Sequence, residues 1–462
     1  MTASAPALSG LFDVAIIGAG VVGCALARRF TLAGARVAVV ERAADILDGA
    51  SKANSAILHT GFDAPPGSLE QACIAQGYEE YLRIHPKLGL PLVSSGALVV
   101  AWTEEEEAAL PSLVAQAQEN GVTDVEMLSH SAMRDAEPGL GPRARSAFRV
   151  PREYLIDPWS APFAYMLQAI ENGAKLLRGA EVVGGRHEGH WVLETTRGTV
   201  SAALVVNAAG LWGDVIDERL IGRRDFSIRP RKGQFVVYDK SAAALAAHII
   251  LPVPNKVTKG VVVCRTAFGN LLVGPTAEDQ EEREHATLVP ETLEQLRKRG
   301  AEILPGLGAH AVTAIYAGLR PATEFKDFQI RSHEGRNYIT VGGIRSTGLS
   351  AALGIAAHVE RLAGLTLDAP STPVWPTVSN ISEYAPRDWE VPGHGGVVCH
   401  CEMVTRREVL AALDGPLPAR SLAGLKRRTR VTMGRCQGFF CSAELASITA
   451  GRLEHDMADR IE

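Results

Sequence analysis

The stretch Phe12-Asp13-Val14-Ala15-Ile16-Ile17-Gly18-Ala19-Gly20-Val21-Val22-Gly23 decides the fold. An apolar run ends in G-x-G-x-x-G, a helix-period segment follows, and residues 36–41 predict a second strand that ends in an acid. Strand, tight turn, helix, strand and acid form the unit that binds a dinucleotide. Gly18 permits the turn, Gly20 lets the backbone approach a pyrophosphate, and Gly23 lets the helix pack close to the strand. We therefore expect phosphate groups at the N-terminus of this helix, where N–H groups and the helix dipole favour anions.

The acid at the end of the second strand narrows the choice of cofactor. Glu41 stands 18 residues after Gly23, where a carboxylate can accept the ribose hydroxyls and would repel a 2′-phosphate, so NADP is disfavoured. The fingerprint alone does not separate FAD from NAD, and a glycine-rich turn without a ligand is the alternative. Since no second G-x-G-x-x-G follows a strand in the sequence, we do not expect electrons to pass to or from NAD(P).

The composition is that of an ordinary globular protein. The chain has 462 residues, of which 46% are hydrophobic and 21% charged, and its net charge is −5. This length corresponds to about three domains, and the negative charge gives no general attraction to nucleic acid. The first residues lack the features of a signal peptide, and no apolar run reaches the ~18 residues of a membrane span. We expect a cytoplasmic protein, with peripheral contact at the inner face of the membrane as an alternative.

The periodicity of the remaining chain predicts alternating helices and strands. Helices are expected over 68–85, 104–120, from 158, over 291–299 and over 350–363; strands are expected within 92–101 and 175–205, and over 233–238, 261–265, 271–274, 312–319 and 338–343. A stretch rich in Pro, Ser and Thr, 368–395, is typical of a linker. A compact tail follows it.

The seven cysteines fall into two groups. Three stand singly and are expected to be small buried apolar residues: Cys24, Cys73 and Cys264. The other four crowd the tail, and in a chain without export signals such a cluster indicates a metal site rather than disulfides: Cys399, Cys401, Cys436 and Cys441. Four thiolates can hold zinc or a [2Fe-2S] cluster, and a redox dithiol is a third interpretation. Structural zinc sites usually combine two C-x2-4-C pairs, from which C-x-C with C-x4-C departs.

Several motifs, in order along the chain, carry a resemblance to a known family. Besides the fingerprint they are N-S-x-x-x-H-x-G from Asn54, then Asn207–Trp212, Ala317–Ala322 and Gly342–Leu349. Together they resemble the D-amino-acid-oxidase-like superfamily of FAD-dependent oxidoreductases, over roughly residues 12–366. Two further stretches favour the branch of glycerol-3-phosphate dehydrogenases and L-2-hydroxyglutarate dehydrogenases: Pro230–Gln234 and Gly274–Asp279.

The tail carries a second resemblance. Cys399-His400-Cys401 and the run Cys436–Cys441 are separated by 34 residues, with the basic run Lys426–Arg430 and Gly434 before the second pair. This layout resembles the bacterioferritin-associated-ferredoxin-like [2Fe-2S] domain, which implies that the four cysteines ligate such a cluster. The basic run would offset the negative charge of the cluster, and a solvated basic face is the alternative. The combined layout is similar to the anaerobic glycerol-3-phosphate dehydrogenases.

The two resemblances imply an α/β fold in three parts. We expect a Rossmann-like FAD-binding domain over 10–90, 150–225 and 312–366, an inserted β-rich α+β substrate domain over 91–149 and 226–311, a linker over 367–395, and a small helical [2Fe-2S] domain over 396–462.

The residues expected to contact FAD lie in the glycine corners and at the strand ends beside them. They are Gly18, Gly20, Val21, Val22, Gly23, Glu41, Arg42, Ser51, Asn54, Ser55, Val182, Ala208, Gly210, Gly318, Gly343, Ser346, Thr347, Gly348 and Leu349.

Four side chains are candidates for catalysis. Arg320, in Gly-Leu-Arg-Pro, is expected to hold the substrate anion because a guanidinium pairs bidentately with carboxylate or phosphate; a structural surface arginine is the alternative. His59 is the candidate base, since imidazole accepts a proton near neutral pH; it could instead only hydrogen-bond the cofactor or the backbone. Lys232 and Arg345 are further cations, and Arg345 is expected near the flavin ring, where positive charge stabilises reduced flavin.

We expect oxidation of a secondary alcohol beside an anionic group, with hydride passing to FAD and electrons to the cluster. Glycerol 3-phosphate is the leading substrate. Glycerol-3-phosphate dehydrogenases tend to have a lysine in the glycine corner where this chain has Ile344 or Arg345, so L-2-hydroxyglutarate stays second, with amino acids or opines as another alternative. A non-catalytic electron-transfer subunit is the alternative of a different class. The expected acceptor is a partner subunit or a membrane quinone, within a homo- or hetero-oligomer.

Overall fold

The computed structural model describes residues 8–254 and 260–457, so residues 255–259 and 458–462 of the predicted domain ranges lie outside the described residues, as do residues 1–7. Within the described residues, the strands are β1 (Leu11–Ile17), β2 (Val37–Val40), β3 (Ile57–Leu58), β4 (Leu92–Val93), β5 (Ala97–Ala101), β6 (Glu126–Leu128), β7 (Ser146–Val150), β8 (Tyr154–Ile156), β9 (Lys175–Leu177), β10 (Val182–His187), β11 (Trp191–Thr195), β12 (Gly198–Asn207), β13 (Arg229–Tyr238), β14 (Ile249–Pro252), β15 (Val262–Arg265), β16 (Leu271–Gly274), β17 (Glu278–Asp279), β18 (Val312–Ala322), β19 (Gln329–His333), β20 (Tyr338–Gly342), β21 (Val397–Cys399) and β22 (Val404–Thr405). The helices of the same residues are α1 (Val21–Leu32), α2 (Leu69–Leu88), α3 (Glu104–Glu119), α4 (His130–Ala136), α5 (Ser160–Glu171), α6 (Gly213–Ile221), α7 (Pro290–Ile303), α8 (Gly348–Ala363), α9 (Arg406–Leu413), α10 (Leu422–Thr429) and α11 (Ser442–Thr449).

The first sheet brings the carboxyl ends of its parallel strands to one edge. Its order is β10-β11-β12-β1-β2-β9, and β20 and then β19 continue it beside the second half of β12. β1 runs parallel to both neighbours, with Ile17 opposite Val40 and Asn207. β2 and β20 are buried along their whole length, which is why these strands read as continuous apolar runs rather than alternating ones. The glycine turn and the segments that follow β2, β12 and β20 therefore meet at this edge.

Two separate segments of the chain form the second sheet. β5 to β7 come from the first segment and β13 to β18 from the second. The segments join where β14 runs parallel to β5, with Ile250 opposite Leu98. Apolar side chains on the two faces of this sheet form cores separate from that of the first sheet. The predicted α/β fold with an inserted β-rich domain is confirmed.

One strand lies in a different sheet from the one expected. The predicted boundary at 311/312 assigns the strand from Val312 to the FAD-binding domain, whereas β18 pairs antiparallel with the whole of β13 in the second sheet. The apolar pattern predicts a strand here but carries no information on which partner it pairs with, because the hydrogen bonds come from backbone groups distant in the sequence. β18 thereby connects the inserted domain to the cavity described below.

The linker and the tail both pack on the body of the protein. In the linker, the Val378 N–H donates to the Leu88 carbonyl at 2.9 Å, and the Trp375 ring lies under the charged ends of Arg28 and Lys87. The tail consists of the β21–β22 hairpin and α9 to α11 around its own apolar core. It docks through Asp45, whose buried carboxylate accepts hydrogen bonds at the start of α10.

A helix able to cross a bilayer is not found anywhere in 8–254 or 260–457.

Candidate active site and cysteine cluster

Backbone atoms crowd two glycines of the turn before and within α1, so neither position has room for a side chain. Gly18 has a φ of +100°, and a Cβ there would lie 2.6 Å from the Ala208 carbonyl oxygen. A Cβ on Gly23 would lie 1.9 Å from the Gly18 carbonyl oxygen. The Val21 N–H donates to the Ser51 hydroxyl at 3.0 Å, which fixes the segment after β2 against the first turn of α1. The backbone of this turn also lines the cavity described below, as a pyrophosphate site requires.

Glu41 is held rigidly at the end of β2. One carboxylate oxygen accepts the Ala19 N–H at 2.7 Å, and the other accepts the Ala43 N–H at 2.8 Å. Burial raises the pKa of Glu41. Each oxygen keeps acceptor capacity for a ribose hydroxyl at the cavity wall.

A cavity of about 910 Å³ opens where the strand ends meet. Most of the residues predicted to contact the cofactor line it: Gly18, Gly20, Val21, Val22, Glu41, Arg42, Ser51, Asn54, Ser55, Val182, Ala208, Gly210, Gly318, Ser346, Gly348 and Leu349. Three predicted residues do not. Gly23 packs beneath the turn, Gly343 lies against Gln329, and the Thr347 hydroxyl donates to Glu70 at 2.6 Å.

Arg283 also lines the cavity, and the sequence analysis did not identify it, because a single arginine in a loop of mixed charge gives no pattern.

Arg320 reaches the cavity wall from β18. Its guanidinium donates to three carbonyl oxygens, those of Arg231 at 3.3 Å, Lys232 at 3.1 Å and Thr276 at 2.8 Å. Burial, with a contribution from the neighbouring Arg231, lowers the pKa of Arg320 to about 10.

The electrostatic feature that singles out Arg320 is its lack of a counter-ion. Other arginines of the wall are paired: Arg42 with Glu284 at 3.2 Å, Arg283 with Asp214 at 3.0 Å and Arg219 with Glu181 at 3.5 Å. For Arg320, no carboxylate lies within ion-pair distance in the part of the chain that the structure describes. A partly buried guanidinium in this state favours an anion from solution.

The other predicted cations are more constrained. Lys232 does not line the cavity; its ammonium lies 3.1 Å from Glu278 and donates to the Thr287 carbonyl at 3.0 Å. Arg345 lines the cavity, donates to the Lys326 carbonyl and lies 3.8 Å from Glu70.

His59 is oriented by a buried carboxylate that the sequence did not single out. Its Nδ1 lies 2.8 Å from Glu153, which is 0% exposed and also accepts the Thr60 N–H at 2.6 Å and hydroxyl at 2.7 Å. Since a carboxylate only accepts, the neutral ring has its proton on Nδ1 and its lone pair on Nε2. The ring is not part of the cavity lining, but the His59 N–H donates to the Ser350 hydroxyl, next to Leu349 on the wall.

The four tail cysteines form two facing pairs. The Cys401 thiol faces Cys436, and the Cys441 thiol faces Cys399. Burial and then the Cys399 sulfur raise the pKa of Cys441 to about 11. Backbone N–H groups, that of Phe440 foremost, point at the Cys436 sulfur and lower its pKa.

This arrangement suits a two-iron cluster, because the four thiols lie in two pairs. Two thiolates for each of two irons, with N–H donors aimed at a sulfur, match the ligand set of a [2Fe-2S] cluster.

The basic run of the tail is buried rather than solvated. Arg428 pairs with Asp45 at 2.9 Å, Arg427 with Asp48 at 3.3 Å, and Arg430 with Glu402 at 2.8 Å. The first two pairs join the tail to the segment that follows Glu41. Neither sequence alternative described this docking role.

Comparisons with known proteins agree with both parts of the chain. Residues 13–362 match the family of FAD dependent oxidoreductases, and residues 397–450 match the BFD-like [2Fe-2S] binding domain. A glycerol 3-phosphate dehydrogenase of Caloramator mitchellensis is 32% identical, over 97% of this chain and 96% of that protein. One subunit of the anaerobic glycerol-3-phosphate dehydrogenase of Escherichia coli K12 is 27% identical, over 94% of this chain and 87% of that one.

A solved structure shares the fold of the body. The dithionite-reduced L-alpha-glycerophosphate oxidase of Mycoplasma pneumoniae, with FAD bound, superposes with a TM-score of 0.74 at 28% identity, covering 80% of this chain and 98% of that one. The resemblances inferred from the motifs are confirmed, as are the two cofactors, FAD and a [2Fe-2S] cluster. The chain belongs to the FAD-dependent oxidoreductase family and carries a C-terminal BFD-like [2Fe-2S] domain.

Proposed function

We propose that the chain oxidises sn-glycerol 3-phosphate to dihydroxyacetone phosphate and passes the electrons through its [2Fe-2S] cluster to a partner protein or a membrane quinone. The observation that carries the substrate class is Arg320, a cation on the cavity wall with no counter-ion among the described residues. Within that class, the similarity to the two dehydrogenases and the oxidase named above supports glycerol 3-phosphate as the substrate.

Each residue has a defined task in this reaction. FAD, when bound, supplies the hydride acceptor, and the cluster takes electrons singly. The glycine turn and Glu41 hold the phosphate and ribose ends of the cofactor. Arg320 binds the substrate phosphate, with its orientation fixed by three carbonyls. His59 accepts the hydroxyl proton at Nε2, and Glu153 stabilises the imidazolium through Nδ1.

The tail defines the second half of the reaction. Because the tail docks through Asp45 on the segment next to the cofactor cavity, we expect its cluster to be held at a constant distance from the flavin. The Escherichia coli relative is named as one subunit of an assembly. We propose a comparable partner here, with peripheral membrane attachment through that partner.

A 2-hydroxy acid such as L-2-hydroxyglutarate is the second candidate. The glycine corner offers Arg345 rather than a lysine, and a guanidinium suits a carboxylate as well as a phosphate. An amino acid or opine is a further alternative substrate. The alternative of a different class is that the chain is an electron-transfer subunit that does not turn over a substrate.

Anaerobic reduction of the bound flavin tests these candidates. The purified holoprotein is mixed with glycerol 3-phosphate, L-2-hydroxyglutarate, glycine or an opine, and flavin absorbance is followed. We expect bleaching with glycerol 3-phosphate and none with glycerol, which lacks the anion. Bleaching by another compound alone would reassign the substrate. If no compound reduces the flavin but a reduced carrier protein does, the dehydrogenase proposal fails.

A further inference from the structure

A stacked pair of aromatic rings lies between the cavity wall and the tail. Lys52 and Pro158 line the cavity, and the Trp159 indole N–H donates to the Lys52 carbonyl at 3.1 Å. The Trp159 ring stacks on Phe268, with 5.8 Å between the centroids and 13° between the planes. Phe268 is buried and belongs to the loop between β15 and β16 of the inserted domain. The contact therefore links the two domains of the flavoprotein body.

Arg430 continues this contact into the tail. Its guanidinium lies 4.1 Å from the centroid of Phe268 and donates to Asn270 at 3.2 Å. Its Nε donates at 2.8 Å to Glu402, the residue directly after the cluster ligand Cys401. Arg430 and Glu402 are only 6% and 3% exposed. One side chain thus joins a cluster-bearing loop to the protein that surrounds the flavin.

The backbone of Arg430 is in a conformation that favours glycine. It ends α10 with a φ of +66°, in the left-handed region. A non-glycine residue is disfavoured there because its Cβ comes close to the following carbonyl oxygen. The buried ion pair with Glu402 and the contact with the Phe268 ring hold Arg430 in this conformation.

We propose that Arg430 is the positioning residue that sets the separation of flavin and cluster, by clamping the Cys401–Glu402 loop onto Phe268 and, through Trp159, onto the cavity wall. In the step concerned, the two-electron-reduced flavin loses one electron and the oxidised cluster gains it, with the flavin proton released to solvent. Electron tunnelling slows steeply with distance, so a loop that moves away slows this step without altering either cofactor. The proposal rests on the relay proposed above.

The variants distinguish a positioning role of Arg430 from unfolding of the Cys401–Glu402 loop. Arg430→Met leaves the buried Glu402 with only Lys240, whose ammonium lies 3.7 Å away, as a cationic partner, and this loss by itself can unfold the loop. The double variant Arg430→Met/Glu402→Gln removes that charge as well. Phe268→Leu keeps the ion pair but removes the ring under the guanidinium. The matched control is Arg435→Met, because Arg435 also joins the tail to the inserted domain, through Asp239 at 2.8 Å, but is 71% exposed.

The measurement starts from the flavin and needs no substrate. The anaerobic holoprotein is illuminated with EDTA to reduce the flavin, frozen at intervals, and the EPR signal of the reduced cluster is recorded; dithionite gives the full signal for comparison. We expect the double variant and Phe268→Leu to keep normal iron, sulfide and dithionite-generated signal but to show delayed or lost transfer from the flavin. Arg435→Met should match the wild type.

Three results would overturn the proposal. The first is transfer at the wild-type rate in the double variant and Phe268→Leu. The second is an equal delay in Arg435→Met, which would make any tail contact sufficient. The third is loss of the cluster from the double variant, which would make Arg430 part of the cluster fold. If the wild type itself transfers no electron from flavin to cluster, the relay of the proposed function fails instead.

Discussion

Replacing Glu153 by glutamine tests whether His59 acts as the base. In the native chain the Glu153 carboxylate accepts from His59 Nδ1 and from both donors of Thr60. The Thr60 N–H can only donate, so it fixes the amide oxygen of the new glutamine, and the NH₂ group faces Nδ1. Nδ1 must then accept, which moves the ring proton to Nε2 and removes the lone pair that takes the substrate proton.

The size of the effect follows from the loss of a general base. A positioned base contributes about 10²- to 10⁴-fold to rate, so Glu153→Gln should slow flavin reduction by that factor, or about 2.7–5.4 kcal/mol in activation free energy. The side chain keeps its shape and its bonds to Thr60, so the melting temperature should change little. Glu153→Asp keeps a carboxylate and should retain more activity than the glutamine variant.

The assay is stopped-flow reduction of the flavin by glycerol 3-phosphate without oxygen. Glu137 provides a matched control, because it is 1% exposed and lies 2.8 Å from Nδ1 of His248, and both residues belong to the inserted domain. Glu137→Gln should leave the rate of flavin reduction near that of the wild type. An unchanged rate in Glu153→Gln, or equal losses in the two variants, would refute the assignment of His59 as the base.

Three further substitutions test the cavity. Arg320→Ala should lower kcat/KM for the anionic substrate roughly 10- to 150-fold, the loss of about 1.5–3 kcal/mol for a charged hydrogen bond, with flavin content unchanged; loss of flavin would mean a structural role. Gly23→Ala should lower FAD content and stability by at least about 1–3 kcal/mol, measured by absorbance after gel filtration and by thermal melting, since its Cβ would lie 1.9 Å from the Gly18 carbonyl; full FAD content would contradict the steric argument. Lys232→Met should lower the melting temperature through loss of the bond to Glu278, about 1–3 kcal/mol; lost turnover at an unchanged melting temperature would instead support the catalytic role predicted for Lys232.

The sequence predicts those parts of the site in which a residue is required by the conformation of its own short segment. Gly18 is required by its φ of +100°, Gly23 by a close backbone contact within the turn, and Glu41 by the end of the next strand, so the spacing alone identifies them. The sheet of β18 and the contact of Glu153 with His59 depend on partners far along the chain. A lone acid in a loop carries no signal until the fold brings a histidine to it.

The role of the basic run of the tail also depends on residues that are distant in the sequence. Read as a pattern, it allows either a charge that offsets the cluster or a solvated face, because composition does not say which carboxylates it meets. In the fold, Asp45 accepts two backbone N–H groups at the start of α10 and pairs with Arg178 and Arg428. A buried carboxylate held by two arginines is costly to separate from either one.

This docking ties both cofactors to one short segment of chain. The residues between β2 and β3 begin at Glu41, meet the tail at Asp45, contact the glycine turn through Ser51 and hold Trp159 through the Lys52 carbonyl. Lacking any period, this segment gave no secondary-structure prediction, yet each of its contacts is made to a different part of the fold. The segment thus lines the cofactor cavity on one side and carries the docked [2Fe-2S] domain on the other. A substitution that displaces it should therefore disturb both the cavity and the docking of the tail.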